Sequence, residues 1–115
     1  MATAARYNFT IEQGATFRNI FTLKDENGDL IDLTGSTAIL QARKNLSESP
    51  IIDLSVGSGI TMGGTAGTIT VELTDTATTA LTEKEMIYDM KLTTAGAEKN
   101  RIIEGTILLS LEVSV

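Results

Sequence analysis

The chain has 115 residues and 12.2 kDa, enough for one domain that buries roughly two-thirds of its unfolded surface and folds without staples. It contains no cysteine and no histidine, which excludes disulfides, thiolate chemistry, Ser-His-Asp and Cys-His catalysis and His- or Cys-based metal sites. The net charge is −6 and the nine Lys and Arg residues are scattered, so no basic cluster is available to neutralise several phosphates of a nucleic acid together.

No charged n-region precedes an apolar run at the start, and no stretch reaches the ~18 apolar residues of a membrane span. The expectation is a protein made in the cytoplasm and used without export. From the start, Tyr7, Phe9 and Ile11 alternate with Asn8, Thr10 and Glu12, the period of a strand with one apolar face. Gln13-Gly14 breaks it. Phe17, Phe21 and Leu23 then share parity in a second strand. Asn19 interrupts that face, and a bulge there would bring Ile20 inward.

Asp25-Glu26-Asn27-Gly28-Asp29 reads as a turn, because Asn-Gly supplies positive φ. Its alternating oxygens also open like a calcium loop, but Leu30 and Ser36 stand where an EF-hand needs glycine and a bidentate acid. A second turn follows at Thr34-Gly35. The next strand, 36–44, directs Ala38, Leu40 and Ala42 to the core, and the alanines let an opposing layer approach closely.

After the loop around Pro50, 51–56 reads as a short edge strand. Five glycines fall between Gly57 and Gly67, so that segment is expected to be a flexible hairpin tip, with Ile60 and Met62 exposed and able to order on binding. It lacks the Gly-Lys-Ser/Thr ending of a phosphate loop. Ile69, Val71 and Leu73 point inward. Thr74 or Asp75 can cap a turn or two of helix through Ala77, Ala80 and Leu81, crossing from one sheet to the other.

The strongest signal is terminal. Tyr88, Met90 and Leu92 share one face. Ile103, Gly105, Ile107, Leu109, Leu111 and Val113 share one face of the following run, and the gap at 94–98 makes the pair a hairpin. This hairpin is the expected template of the sheet. Ile102 and Leu108 fall on its opposite face, either beneath the 74–83 crossover or at an interface. About seven strands at turn spacings of eight to twelve residues give an all-β fold, an Ig-like antiparallel β-sandwich with one short helical crossover, as a single domain over 1–115.

The order Ile11-Glu12-Gln13-Gly14-Ala15-Thr16-Phe17, Lys24-Asp25-Glu26-Asn27-Gly28, Asp32-Leu33-Thr34-Gly35, Ala38 to Arg43, Ile87 to Leu92 and Arg101 to Ile107 resembles the small immunoglobulin-like structural proteins of tailed bacteriophages. It is similar in plan to the N-terminal domain of phage baseplate upper proteins, over about Phe9 to Val113. The resemblance implies a virion subunit, with no catalytic residues and no cofactor. Its partners are other virion proteins, in several symmetric copies, rather than nucleic acid, membrane or a small-molecule substrate.

Baseplate upper proteins continue into a long C-terminal part, whereas this chain stops at Val115. The expectation is therefore a stand-alone adaptor or decoration subunit rather than a receptor-binding protein; the leading reading is an adaptor at a tail, baseplate or fibre junction, with capsid decoration as the alternative. The candidate interface comprises Ile51, Ile52 and Leu54 on the expected edge, Ile60 and Met62 in the glycine-rich loop, and Ile102 and Leu108 on the hairpin. A carbohydrate-binding or adhesion module is the reading from another class. The lack of Trp and the core parity of Tyr7 and Tyr88 count against it.

Overall fold

The computed structural model describes residues 5–113. Nine strands run β1 (Ala5–Arg6), β2 (Phe9–Glu12), β3 (Phe17–Thr22), β4 (Thr37–Arg43), β5 (Ile52–Val56), β6 (Gly59–Met62), β7 (Thr68–Leu73), β8 (Glu85–Thr93) and β9 (Lys99–Ser110), with one helix, α1 (Asp75–Thr79), between β7 and β8. They form one hydrogen-bonded sheet in the order β1-β9-β8-β4-β5-β6-β7-β3, with β2 continuing the β1 edge along β9. The sheet curls around a single core. Leu40, Met90 and Ile107 from one half meet Ile60, Ile69 and Val71 from the other.

The terminal hairpin lies inside this order, flanked by β4 on one side and by β1 and β2 on the other. The alternation at Tyr88, Met90 and Leu92 and at Ile103, Ile107 and Leu109 puts every one of these side chains in the core. Leu111 and Val113 are exposed and lie beyond the ladder. The hairpin loop closes through Thr94, whose N–H donates to the Glu98 carbonyl, and Ala97 takes φ 68°.

Antiparallel pairing was the expectation throughout, and two places correct it. The first strand pairs parallel with the last, Phe9 beside Ile107 and Ile11 beside Leu109. Two-residue alternation fixes which face is buried but carries no direction, so it cannot distinguish the two arrangements. β5 and β6 are also parallel, through Ser55 with Gly59 and Val56 with Ile60. The tight turn in which Ser58 N–H donates to Ser55 O makes this link.

At the break between β1 and β2, the Tyr7 backbone crosses directly over Gly105, where a Cβ would overlap the Tyr7 carbonyl oxygen. That carbonyl accepts the Tyr88 hydroxyl at 2.5 Å. The Asn8 side chain stands in for the missing ladder acceptor, its Oδ1 taking the Thr106 N–H at 2.8 Å. Gly105 therefore permits a close approach that a larger residue forbids.

β3 runs in unbroken register with β7 from Phe17–Leu73 to Thr22–Thr68, so there is no bulge at Asn19 to turn Ile20 inward, and Ile20 stays exposed. Asn19 takes the inward parity half-buried, accepting a 3.5 Å contact from the Tyr7 hydroxyl. Thr74 caps α1 by accepting the Ala77 N–H. Thr78, which the sequence reading passed over, is fully buried. Its hydroxyl donates toward Ala15 O and accepts from Gly14 N–H, fastening the β2–β3 turn to the helix.

Candidate protein-binding face

The three longest strands, β4, β8 and β9, show their second face to solvent, and the register places its side chains in rows. One row runs Ile39, Lys91, Arg101. The next runs Gln41, Asp89, Glu104, Arg6, and the third Arg43, Ile87, Thr106. These rows line an open trough of about 540 Å³ that also reaches the exposed Leu46.

Asp89 and Glu104 stand directly opposite each other on neighbouring strands, a like-charge pairing that is destabilising by itself. Arg101 offsets it, with contacts of 3.8 Å to Asp89 and 3.9 Å to Glu104, and Arg6 approaches Glu104 at 3.8 Å. These long, half-exposed contacts are worth about 0–1 kcal/mol each. Their effect is to compensate a repulsion, and they leave the two facing carboxylates engaged by guanidinium groups in an open trough. Among the described residues no cluster of acids is arranged to hold a metal ion. Asp25, the first residue of the calcium-like loop, directs Oδ1 to the N–H groups of Asn27 and Asp29 in its own turn.

Isoleucines 39 and 87 are exposed, and each lies directly across from a cation, Ile39 from Lys91 and Ile87 from Arg43. Four cations line the trough against two acids. On a chain of net −6, the face carries +2 and the remaining side chains total −8.

The candidate interface residues read from sequence divide differently. Leu108 is exposed and lies in a smaller depression of about 320 Å³ with Phe9, Thr10 and Glu85, not beneath the helix. Ile51 is exposed and Met62 packs partly against the core. Four are corrected: Ile52, Leu54, Ile60 and Ile102 are buried.

For Ile102 the reason is a bulge. Met90 pairs with Ile103 but Lys91 with Arg101, so two residues of β9 meet one of β8 and adjacent isoleucines both turn inward. Ile52 and Leu54 are buried because β5 is an inner strand, laddered to β4 and, at Ser55 and Val56, to β6. Ile60 is buried because the glycine-rich segment is structured, with β6 paired to β7 and a 3-10 turn at Gly64–Ala66. The candidate face was missed as a unit. Its signal was present in the exposed parity of β4 and β8, Ile39 and Ile87, read as the solvated side of the alternation.

Comparison with known protein families and with curated proteins finds no match. Among solved structures the chain is similar to one from a photo-crosslinking study of multimeric cell-adhesive interactions of VGSC beta subunits. The TM-score is 0.50 at 13% identity, over 97% of this chain and 96% of that one. The likeness is one of fold. With the element order above, it makes this an all-β chain built on a curled sheet with one short helix. No helix among the described residues is long and apolar enough to cross a membrane.

Proposed function

We propose that the chain is an Ig-like structural module of a tailed-bacteriophage virion, an adaptor that joins other virion proteins at the tail, baseplate or fibre junction. The observation that carries its protein-binding part is the exposed face of β4, β8 and β9, where Ile39 and Ile87 stand among charges in an open trough. Exposed aliphatic side chains inside a charged rim are the composition of a protein contact. The trough is too open to enclose a substrate, and its carboxylates are engaged by Arg6 and Arg101, which supports binding over catalysis. The virion setting rests on the resemblance over Phe9 to Val113.

The aromatic residues favour this reading over a sugar-binding module. Tyr88 is buried; Tyr7, placed inward by its alternation, is instead exposed, but its ring packs against Phe9 and Phe21 rather than standing free as a stacking platform. Mass spectrometry of purified particles, fractionated into heads and tails, tests the proposal. Tens of copies per particle in the tail fraction support the adaptor, hundreds in the head fraction turn the reading to capsid decoration, and absence from both overturns the virion setting.

A further inference from the structure

We propose that the trough on β4, β8 and β9 receives the 25–30 turn of a second copy of this chain, in a head-to-tail contact. The inference rests on the assembly reading above and deepens it by naming the partner.

Charge selects the partner surface. A face of +2 on a chain whose remaining side chains total −8 attracts the rest of another copy. Two such faces opposed in a two-fold dimer would instead set +2 against +2. The contact is therefore between unlike patches. Lys91 and Arg43 supply its charge most directly, since neither makes an ion pair among the described residues, although the Arg43 guanidinium donates to the Glu48 carbonyl at 2.9 Å and is held in place by it.

The turn is the complementary element. Asp25, Glu26 and Asp29 are the only place where three acids fall within five residues of this sequence, and Leu30 follows half-exposed. The whole segment from Lys24 to Leu30 is exposed. It is also preformed: Gly28 N–H donates to Asp25 O, and Asp25 Oδ1 accepts from Asn27 and Asp29. Docking it costs little ordering entropy. The Glu26 and Asp29 carboxylates have no side-chain partner among the described residues and face outward for Lys91 and Arg43 of the receiving copy, while Leu30 meets Ile39 and Ile87. Each copy keeps one open face and one open turn, so the contact repeats into a ring if the rotation closes and a filament if it does not.

The test uses sedimentation velocity of the full chain at low salt. The wild type is expected to form oligomers that grow with concentration and dissociate as salt rises. A face variant, Arg43→Glu with Lys91→Glu, and a turn variant, Glu26→Lys with Asp29→Lys, each raise the dissociation constant at least about tenfold. Mixed one to one, the two variants associate again, because the intact turn of one meets the intact face of the other and the two reversed patches are once more opposite in charge.

Monomeric wild type under these conditions overturns the head-to-tail contact, as does a mixture that fails to associate. Growth unaffected by either variant overturns it as well. If the reversals unfold the chain by circular dichroism, Lys91→Gln and Glu26→Gln replace them with the same expected order. None of these results alters the copy count in particles, so failure here is distinguishable from failure of the virion reading.

Discussion

The Phe9 and Phe17 rings stack with centroids 5.1 Å apart and planes 17° from parallel, although Phe9 sits on β2 and Phe17 on β3, at opposite ends of the sheet order. Phe9 also meets Tyr88 edge-on at 4.9 Å, and Tyr7 meets Phe21 at 5.6 Å. Side chains rather than a ladder thus close the curl of the sheet. Phe9→Ala and Phe17→Ala are each expected to cost about 2–4 kcal/mol, with a coupling of about 0.5–1.5 kcal/mol in the double-mutant cycle. Urea titration of the four proteins measures it, and strict additivity would contradict the stacking account.

Gly105→Ala puts a methyl group into the Tyr7 carbonyl oxygen, which is main chain and cannot swing aside. The β1–β2 segment must lift from β9, breaking the Tyr88 and Asn8 hydrogen bonds together. A loss of about 2–4 kcal/mol is expected. Amide exchange should locate the loosening at Tyr7 and Thr106.

Thr78→Val keeps the volume and removes the hydroxyl that serves Gly14 N–H and Ala15 O. With the residue fully buried, the deserted backbone groups cost about 1–3 kcal/mol. Thr78→Ser, which keeps the oxygen, should recover most of this in thermal unfolding.

Tyr88 carries the pH dependence. Burial, reinforced by Tyr7, pushes its hydroxyl well above the usual tyrosine range. The unfolded chain then ionises first, so the ionisation of Tyr88 leaves stability unchanged below about pH 10 and progressively lowers it above that. Tyr88→Phe is expected to flatten the alkaline arm of the stability curve. At neutral pH it should cost about 1 kcal/mol for the lost bond to Tyr7 O. An unchanged alkaline slope would contradict the assignment.

Ala97 holds a left-handed conformation, φ 68°, that penalises a Cβ by about 1–2 kcal/mol. Ala97→Gly removes that strain at some cost in unfolded-chain entropy, and a net gain of up to about 1 kcal/mol in urea titration is expected.

Much of the fold was legible because one face of each strand is buried. Ala38, Leu40 and Ala42, Ile69, Val71 and Leu73, and Tyr88, Met90 and Leu92 all lie where alternation places them. The Thr74 cap was legible for the same local reason, a hydroxyl three residues before the N–H it accepts. What escaped is set by pairing partners. The β9 bulge depends on the register with β8, so Ile102 looked outward when read alone. Glycine at 59 was read as flexibility, yet there φ is 98° and a Cβ would meet Leu54 and the Glu72 carbonyl. The exposed parity of Ile39 and Ile87 was legible but the trough as a unit was not, because Ile39, Lys91 and Arg101 become neighbours only when three strands align.

The absence of cysteine makes a direct test of the binding face available. Ile87→Cys places a single thiol in the trough and Ile20→Cys a single thiol on the outer side of β3, both at exposed positions. Maleimide labelling is compared between dilute free protein at high salt, where the proposed contact between copies is dissociated, and purified particles of the proposed virion. The account predicts that both label in the free protein, and that in particles the thiol at 87 is protected while the thiol at 20 still reacts. Labelling at 87 in particles as fast as in the free protein would contradict it.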